Sequence, residues 1–528
     1  MSDRADRRQA GLLIPLFSCP SAASWGIGDI GDLAPMTAWL AAAGQRVLQL
    51  LPLNEMAPGQ RSPYSAVSAM AIDPIFIRVT DVPEFIEGGG EASLSFADRA
   101  QLDAVRRAPR IDHAAVRRLK NAALRAAFER FFAVDWARHT ERAKAFGRFL
   151  SEQAWWVEDY ALFRAIHARE DERPWTAWPE DLQRREPAAI DRKRRELSHE
   201  VLFYQFLQWL ADSQWHAART RTHGVALFGD LPFMVDTDSA DVWARQQYFQ
   251  LDASLGVPPD AFSPTGQDWG MPVYRWDAMA AEDFRWFRER ACRNADLFDG
   301  YRVDHLVGYY RTYGRRRDGG EPFFTPADEH AQTALGERVL GILRDAGSEI
   351  IAEDLGTVPD FVRASLSSLG LPGFRVFRWE RHWNVDGQPF RDPMEYPAPS
   401  VAASGTHDTE SMIEWWEHAA EDDKRKVSEL PTIQRLTRGA GLAGAQGIPV
   451  VRDVLLEALF AAGSNLLLLP IQDVFGWRDR INEPATITDE NWTFRLPWPC
   501  DRLDEVPEAR ERQARLRAWA GQYGRAPR

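Results

Sequence analysis

Gly300-Tyr301-Arg302-Val303-Asp304-His305 decides how this chain is read. Its Tyr-Arg-Val core has the β-type residues of a short buried strand, and an aspartate and a histidine leave the C-terminal end. Two later stretches share that layout. Glu349-Ile350-Ile351-Ala352-Glu353-Asp354-Leu355-Gly356 is an apolar run ending in a carboxylate pair and a glycine. Val401-Ala402-Ala403-Ser404-Gly405-Thr406-His407-Asp408 is a small-residue strand ending in His-Asp. Strands that each deliver an acid at the same end place those acids on one rim, which is how a (β/α)8 barrel assembles its active site. The fold expected is therefore α/β, a (β/α)8 TIM barrel.

Outward from that stretch the barrel rhythm recurs. Leu12-Leu13-Ile14-Pro15-Leu16-Phe17, a helix over 33–43 and Arg46-Val47-Leu48-Gln49-Leu50-Leu51 make a βαβ unit. Further strands are expected at 224–232, ending in Asp230, and at 300–305, 349–353, 373–380, 401–408 and 464–473, eight in all. Between the second and third the rhythm is lost. Apolar residues at i, i+3 and i+4 predict helices over 116–137, 140–168 and 191–222, so 81–223 reads as a helical insertion within one catalytic barrel domain, 1–528. The stretch 236–276, rich in Pro, Gly, Trp and Asp, reads as a long active-site loop region. Gly88-Gly89-Gly90 lacks the spacing of a phosphate loop.

Composition removes several function classes. A net charge of −13 argues against nucleic acid and anionic membrane surfaces as partners. Cys19, Cys292 and Cys500, odd in number and far apart, form neither a disulfide framework nor a metal cluster. The charged start, Met1 to Arg8, has no apolar segment behind it, and no apolar run reaches about 18 residues, so the expected location is the cytoplasm. The 21 tryptophans suit a protein that stacks rings on sugar faces.

The rim acids then suggest a chemistry. Retaining glycoside cleavage needs a carboxylate nucleophile and a second carboxyl, about 5–5.5 Å away, acting as acid and then base. Arg302 lies two residues before Asp304 on the same strand face, so its guanidinium can reach the aspartate and keep it ionised. Glu353 needs the opposite, a raised pKa, to begin as the proton donor. His407 and Asp408 can hold sugar hydroxyls and stabilise developing positive charge. Taken singly, each pattern has an ordinary structural reading: an ion pair, a helix cap, a hydrogen-bonded strand end. Their placement on strands four, five and seven is what points to a site. A metal-dependent barrel hydrolase built on His305, His407 and the acids is the rival from another class. The first strand, however, offers that site neither imidazole nor carboxylate.

These residues resemble the 4-α-glucanotransferases of the amylomaltase or disproportionating-enzyme family, glycoside hydrolase family 77, relatives of the α-amylases. The similarity runs through nearly the whole chain. It includes Gly26-Ile27-Gly28-Asp29, Ser62-Pro63-Tyr64, Gly229-Asp230-Leu231-Pro232, Gly256-Val257-Pro258-Pro259-Asp260, Gln267-Asp268-Trp269-Gly270, Arg302-Val303-Asp304-His305 and Gly405-Thr406-His407-Asp408. The resemblance implies Asp304 as nucleophile, Glu353 as acid/base and Asp408 as transition-state stabiliser. It also implies that Arg302 and His407 flank the reacting glucose, that Tyr64 stacks beneath it, and that Asp230, Trp269, His305 and Asn482 contact substrate. It implies α-1,4-glucans and maltooligosaccharides as substrates, glucose as an acceptor, a monomer or homodimer, and no metal or organic cofactor. An α-1,4-glucan hydrolase with the same acids remains the alternative, and an inactive glucan-binding protein a further one. Three departures from the family pattern stand out: the short passage Asp252-Ala253-Ser254-Leu255 where a longer lid is usual, Arg378-Trp379-Glu380-Arg381 after strand six, and Met271 and Thr409 where asparagines are usual.

Overall fold

The computed structural model describes residues 8–259, 265–442, 447–484, 486 and 488–526. Eight parallel strands close into a barrel: β1 Gln9–Leu13, β2 Val47–Gln49, β3 Ala226–Leu231, β4 Gly300–Val303, β5 Glu349–Ala352, β6 Gly373–Val376, β7 Ser400–Ala403 and β8 Leu466–Pro470. Each pairs with its neighbours in sequence, and β8 returns to β1 through Leu467 against Ala10 and Leu469 against Leu12. Such a barrel has its interior filled by branched side chains. Here Val47, Phe228, Ile351, Phe374, Val401 and Leu468 fill it. Gly300 opens β4 because the Phe228 ring occupies its side-chain space: a Cβ there would sit 2.6 Å from that ring.

Several boundaries differ from those read in the sequence. β1 ends at Leu13; beyond Pro15 the chain turns through a 3-10 helix, Leu16–Ser18. β4, β5 and β7 stop before their acids, so Asp304, Glu353 and Asp408 sit on the first turns of the loops above the rim. The expected helix over 191–222 is two helices, Pro187–Glu196 and Ser198–Arg219. Leu197 leaves helical geometry between them and is buried, while the charged run of the first helix stays toward solvent. Helix His113–Phe131 runs into a π turn, Phe132–Trp136, and the long helix Glu141–Arg169 packs along Ser198–Arg219.

The stretch 236–276 is not an irregular loop. Ser239 caps a short helix, Ala240–Ala244, and Phe249–Gln250 pairs with Val273–Tyr274. Ala253–Val257 enters a four-stranded antiparallel sheet between Gln267–Asp268 and Thr312–Arg316, with Phe323–Thr325 at its edge. The apparently shortened lid is thus a strand of a sheet whose other half follows β4. Asp260 lies outside the described residues, as do residues 1–7.

The end of the barrel opposite the acids is tied by Arg525. Its guanidinium has no exposed surface. It donates to the carbonyls of Phe460 (2.8 Å), Ala462 (2.8 Å), Ser464 (2.9 Å), Gln9 (3.0 Å) and Asn465 (3.3 Å), across the entrance to β8 and the start of β1. No described helix is long and apolar enough to cross a membrane.

Candidate active site

A cleft of about 680 Å³ opens at the C-terminal rim. Asp304, Glu353, Asp408, Arg302, His305, His407, Tyr64, Trp269 and Asn482 all line it. Three acids on three strand ends therefore face one space. Arg302, on β4, organises two of them. Its Nη1 lies 2.9 Å from Asp304 Oδ1, and its Nη2 lies 3.9 Å from Glu353 Oε2. The backbone N–H of Phe233 also approaches Asp304 Oδ2, at 3.4 Å. Asp304 thus has a cationic partner and an N–H partner.

Glu353 is held differently. Its Oε2 accepts from the backbone N–H of His305 at 2.8 Å, and that N–H is aimed by a left-handed backbone at His305, φ 43°. A non-glycine residue at positive φ costs strain, which persists where the surroundings enforce it. Burial, with Asp304 nearby and Arg302 only partly opposing, pushes the Glu353 carboxyl up to about 8. A carboxyl in that range keeps its proton at neutral pH. Burial also pushes His305 down to about 4, so its ring is neutral there. The edge of that ring meets Trp269, centroids 4.8 Å apart at 74°.

The third acid faces a ring pair. His407 Nε2 lies 3.2 Å from Asp408 Oδ2 and 3.1 Å from the Tyr64 hydroxyl, and the Tyr64 and His407 rings stack at 5.4 Å and 15°. Asn482 Nδ2 donates to Asp408 Oδ1 at 2.6 Å. Burial works against the charge on Asp408, but His407 and Asn482 outweigh it and hold the carboxyl at about 2. Thr409 explains one departure from the family pattern: its hydroxyl accepts from Thr406 N (3.0 Å) and donates to Thr406 O (3.1 Å), closing the turn that presents His407 and Asp408.

Asp230, also expected at the site, is placed apart from these residues. It does not reach the cleft but lies beneath it, 2% exposed. β3 and β4 pair Asp230 directly opposite Arg302, and both its oxygens take Arg302 Nη1, at 2.9 and 2.8 Å, while Oδ2 accepts from the Tyr64 hydroxyl at 2.8 Å. It anchors the arginine and the tyrosine. Burial raises it to about 6 against that arginine.

Other cleft residues escaped the sequence. Phe233, Leu255, Met271 and Trp492 also line it, the middle two brought there by the antiparallel sheet, where Leu255 N donates to Met271 O at 2.8 Å. Among 21 tryptophans nothing in spacing singles out Trp492. Among the described residues, the His, Asp and Glu groups whose ligand atoms converge within 4.8 Å are Asp212–His216–Asp296 and Glu410–Glu414–His418. Neither includes a rim acid, so the metal-hydrolase reading gains no ligand set in the cleft.

Comparison with known proteins gives the same direction. The sequence profile described as 4-alpha-glucanotransferase, glycoside hydrolase 77, matches residues 14–501. The 4-alpha-glucanotransferase of Synechocystis sp. is 35% identical over 512 residues, covering 93% of this chain and 94% of the relative. That of Chlamydia pneumoniae is 31% identical over 500 residues, covering 92% and 91%. Among solved structures, the amylomaltase of Streptococcus agalactiae in complex with acarbose superposes with a TM-score of 0.81 at 26% identity, covering 99% of this chain and all of that one.

Proposed function

This chain belongs to the 4-alpha-glucanotransferase family, glycoside hydrolase 77, and from that premise we propose how its own residues carry the transfer. It is a retaining glycosyl-transferring enzyme acting on α-1,4-glucans. Asp304 attacks the anomeric carbon of a bound glucan while the Glu353 carboxyl protonates the departing glycosidic oxygen. The shortened glucan leaves, and the donor segment remains as an ester on Asp304. Glu353, now a carboxylate, then takes the proton of an incoming 4-hydroxyl as that oxygen displaces Asp304, restoring both acids and the α configuration. Asp408, kept ionised, faces the charge that develops on the sugar ring, and Tyr64, stacked on His407, offers its ring to the reacting glucose.

The observation that carries this reading is the single guanidinium of Arg302 between two acids from adjacent strands, close to one and distant from the other. It supports a division of labour that a structural ion pair would not need. Transfer, as opposed to hydrolysis, requires water to be kept from the ester while the acceptor is positioned. The sheet carrying Leu255, Trp269 and Met271 over the cleft supports that role. Acceptors in this reading are other maltooligosaccharides and free glucose, and the acarbose bound by the Streptococcus agalactiae relative supports an oligosaccharide in the cleft. The assembly in this reading is a monomer or a homodimer. The free thiols, including exposed Cys292, suit the cytoplasm. Incubation with pure maltotriose tests the reading. A ladder of longer maltooligosaccharides together with glucose is expected. Glucose and maltose alone, at high substrate, would mean that water is the acceptor.

A further inference from the structure

Trp492 occupies an unusual backbone conformation for a bulky residue, φ 64°, and is only 7% exposed. Left-handed geometry at such a residue is costly and persists where several interactions fix it. They are present on both sides. Toward the barrel, Trp492 N donates to Ile481 O at 2.7 Å, next to the cleft-lining Asn482. Toward the helical insertion, Trp492 O accepts from His113 Nε2 at 2.8 Å, and the neighbouring Thr493 O accepts from Ile111 N at 3.0 Å. Arg495 completes the clamp, donating to the carbonyls of Val105, Arg106 and Ala108 at 2.7–3.0 Å. The ring so held sits against the two rings of the site, its centroid 6.0 Å from that of Tyr64 and 6.0 Å from that of His407.

We infer that Trp492 is a positioning residue for the transfer reaction: it fixes the Tyr64–His407 stack in register, and the helical insertion contributes to turnover by holding Trp492 in its left-handed conformation. The inference rests on the reading of Tyr64 and His407 as groups that hold the reacting glucose. Tyr64 comes from the loop after β2 and His407 from the turn after β7, and the few bonds joining them leave their shared tilt to whatever packs beside them. Trp492 packs against both. Misplacement of about 1 Å can cost on the order of 100-fold in turnover, so a residue that touches neither reacting atom can still control the rate.

The test separates ring from backbone. Trp492→Gly removes the ring and accepts a left-handed backbone without strain, whereas Trp492→Phe keeps a ring. The expected result for Trp492→Gly is a kcat lower by roughly 30- to 100-fold, with KM for maltotriose changed by less than about threefold. Trp492→Phe should recover most of that loss. Because Trp492 acts through Tyr64, adding Trp492→Gly to Tyr64→Ala should cost little beyond Tyr64→Ala alone. A full multiplicative loss in that double variant, or wild-type kcat in Trp492→Gly, overturns the inference. If Trp492→Gly does not fold, His113→Phe carries the test from outside the cleft, since it removes only the bond to the Trp492 carbonyl. A several-fold lower kcat is then expected, and an unchanged kcat would refute the link to the insertion. All rates are read as total maltotriose consumed. A wild-type enzyme releasing only glucose and maltose would overturn the transferase reading, while the same ratios would still judge Trp492.

Discussion

At the scale of single residues, the site depends on how unequally Arg302 is shared. It lies 2.9 Å from Asp304 and 3.9 Å from Glu353, so the nearer acid has a cation at ion-pair distance and the farther one is governed by burial. A carboxyl pushed to about 8 fixes the sign of the pH response. The acid form is needed to protonate the leaving oxygen, so kcat/KM on natural glucans should hold below pH 8 and fall about tenfold per pH unit above it. A glucosyl fluoride donor, whose leaving group needs no proton, should lose that basic limb in its first step. A limb near the ordinary glutamate range, or one indifferent to the leaving group, would contradict the assignment. The placement of Asp304, Glu353 and Asp408 at the rim was legible in the sequence because three short β-type runs are each followed within a few residues by an acid. Asp230 was legible as a strand-end acid but not as an anchor, because its burial follows from a cross-strand register with Arg302 that links residues 72 apart.

At the scale of elements, the barrel strands were readable through their apolar runs, and their exact ends were not. Proline at position 15 and the short 3-10 turns after β1 and β6 end strands that hydropathy alone would extend. The lid sheet escaped altogether. Its strands are two to five residues long, and Ala253–Val257 finds its partner Thr312–Arg316 only beyond β4. No local pattern announces a pairing across a barrel strand. That sheet delivers Trp269 against His305, whose backbone N–H holds Glu353. Trp269→Ala should therefore admit water to the glycosyl ester and raise the hydrolysed share of consumed maltotriose several-fold. Product ratios at fixed conversion measure this. An unchanged ratio would remove the sheet from the control of transfer.

At the scale of the whole molecule, the two ends of the barrel serve different purposes. The acid-bearing rim carries the cleft, and the opposite end is closed by Arg525, a charge buried among carbonyls. Nothing in Tyr523-Gly524-Arg525-Ala526 announces that role, since its partners lie near residues 9 and 460–465. Arg525→Ala removes donors from carbonyls that are buried with it, at a cost on the order of 3 kcal/mol. A lower Tm with near wild-type kcat is the expected outcome, and an unchanged Tm would show that the closure does not depend on it. The helical insertion, read from its 3.6-residue periodicity, was visible as helices but not as a support for the cleft. Its link through His113 to Trp492 joins residues almost 380 positions apart.

In the proposed reaction Asp304 carries the donor segment covalently while Glu353 manages the proton. Glu353→Gln, given an activated glycosyl fluoride, should form the ester through fluoride departure and then release it slowly, because no base remains to activate the acceptor. Mass spectrometry of the intact protein, followed by peptide mapping, reads this directly. The result expected is a mass increase of one donor glycosyl unit located on the peptide containing Asp304, and absent when Asp304→Asn is combined with Glu353→Gln. An adduct on another carboxyl, or fluoride release with no adduct at any time, would remove Asp304 as the nucleophile.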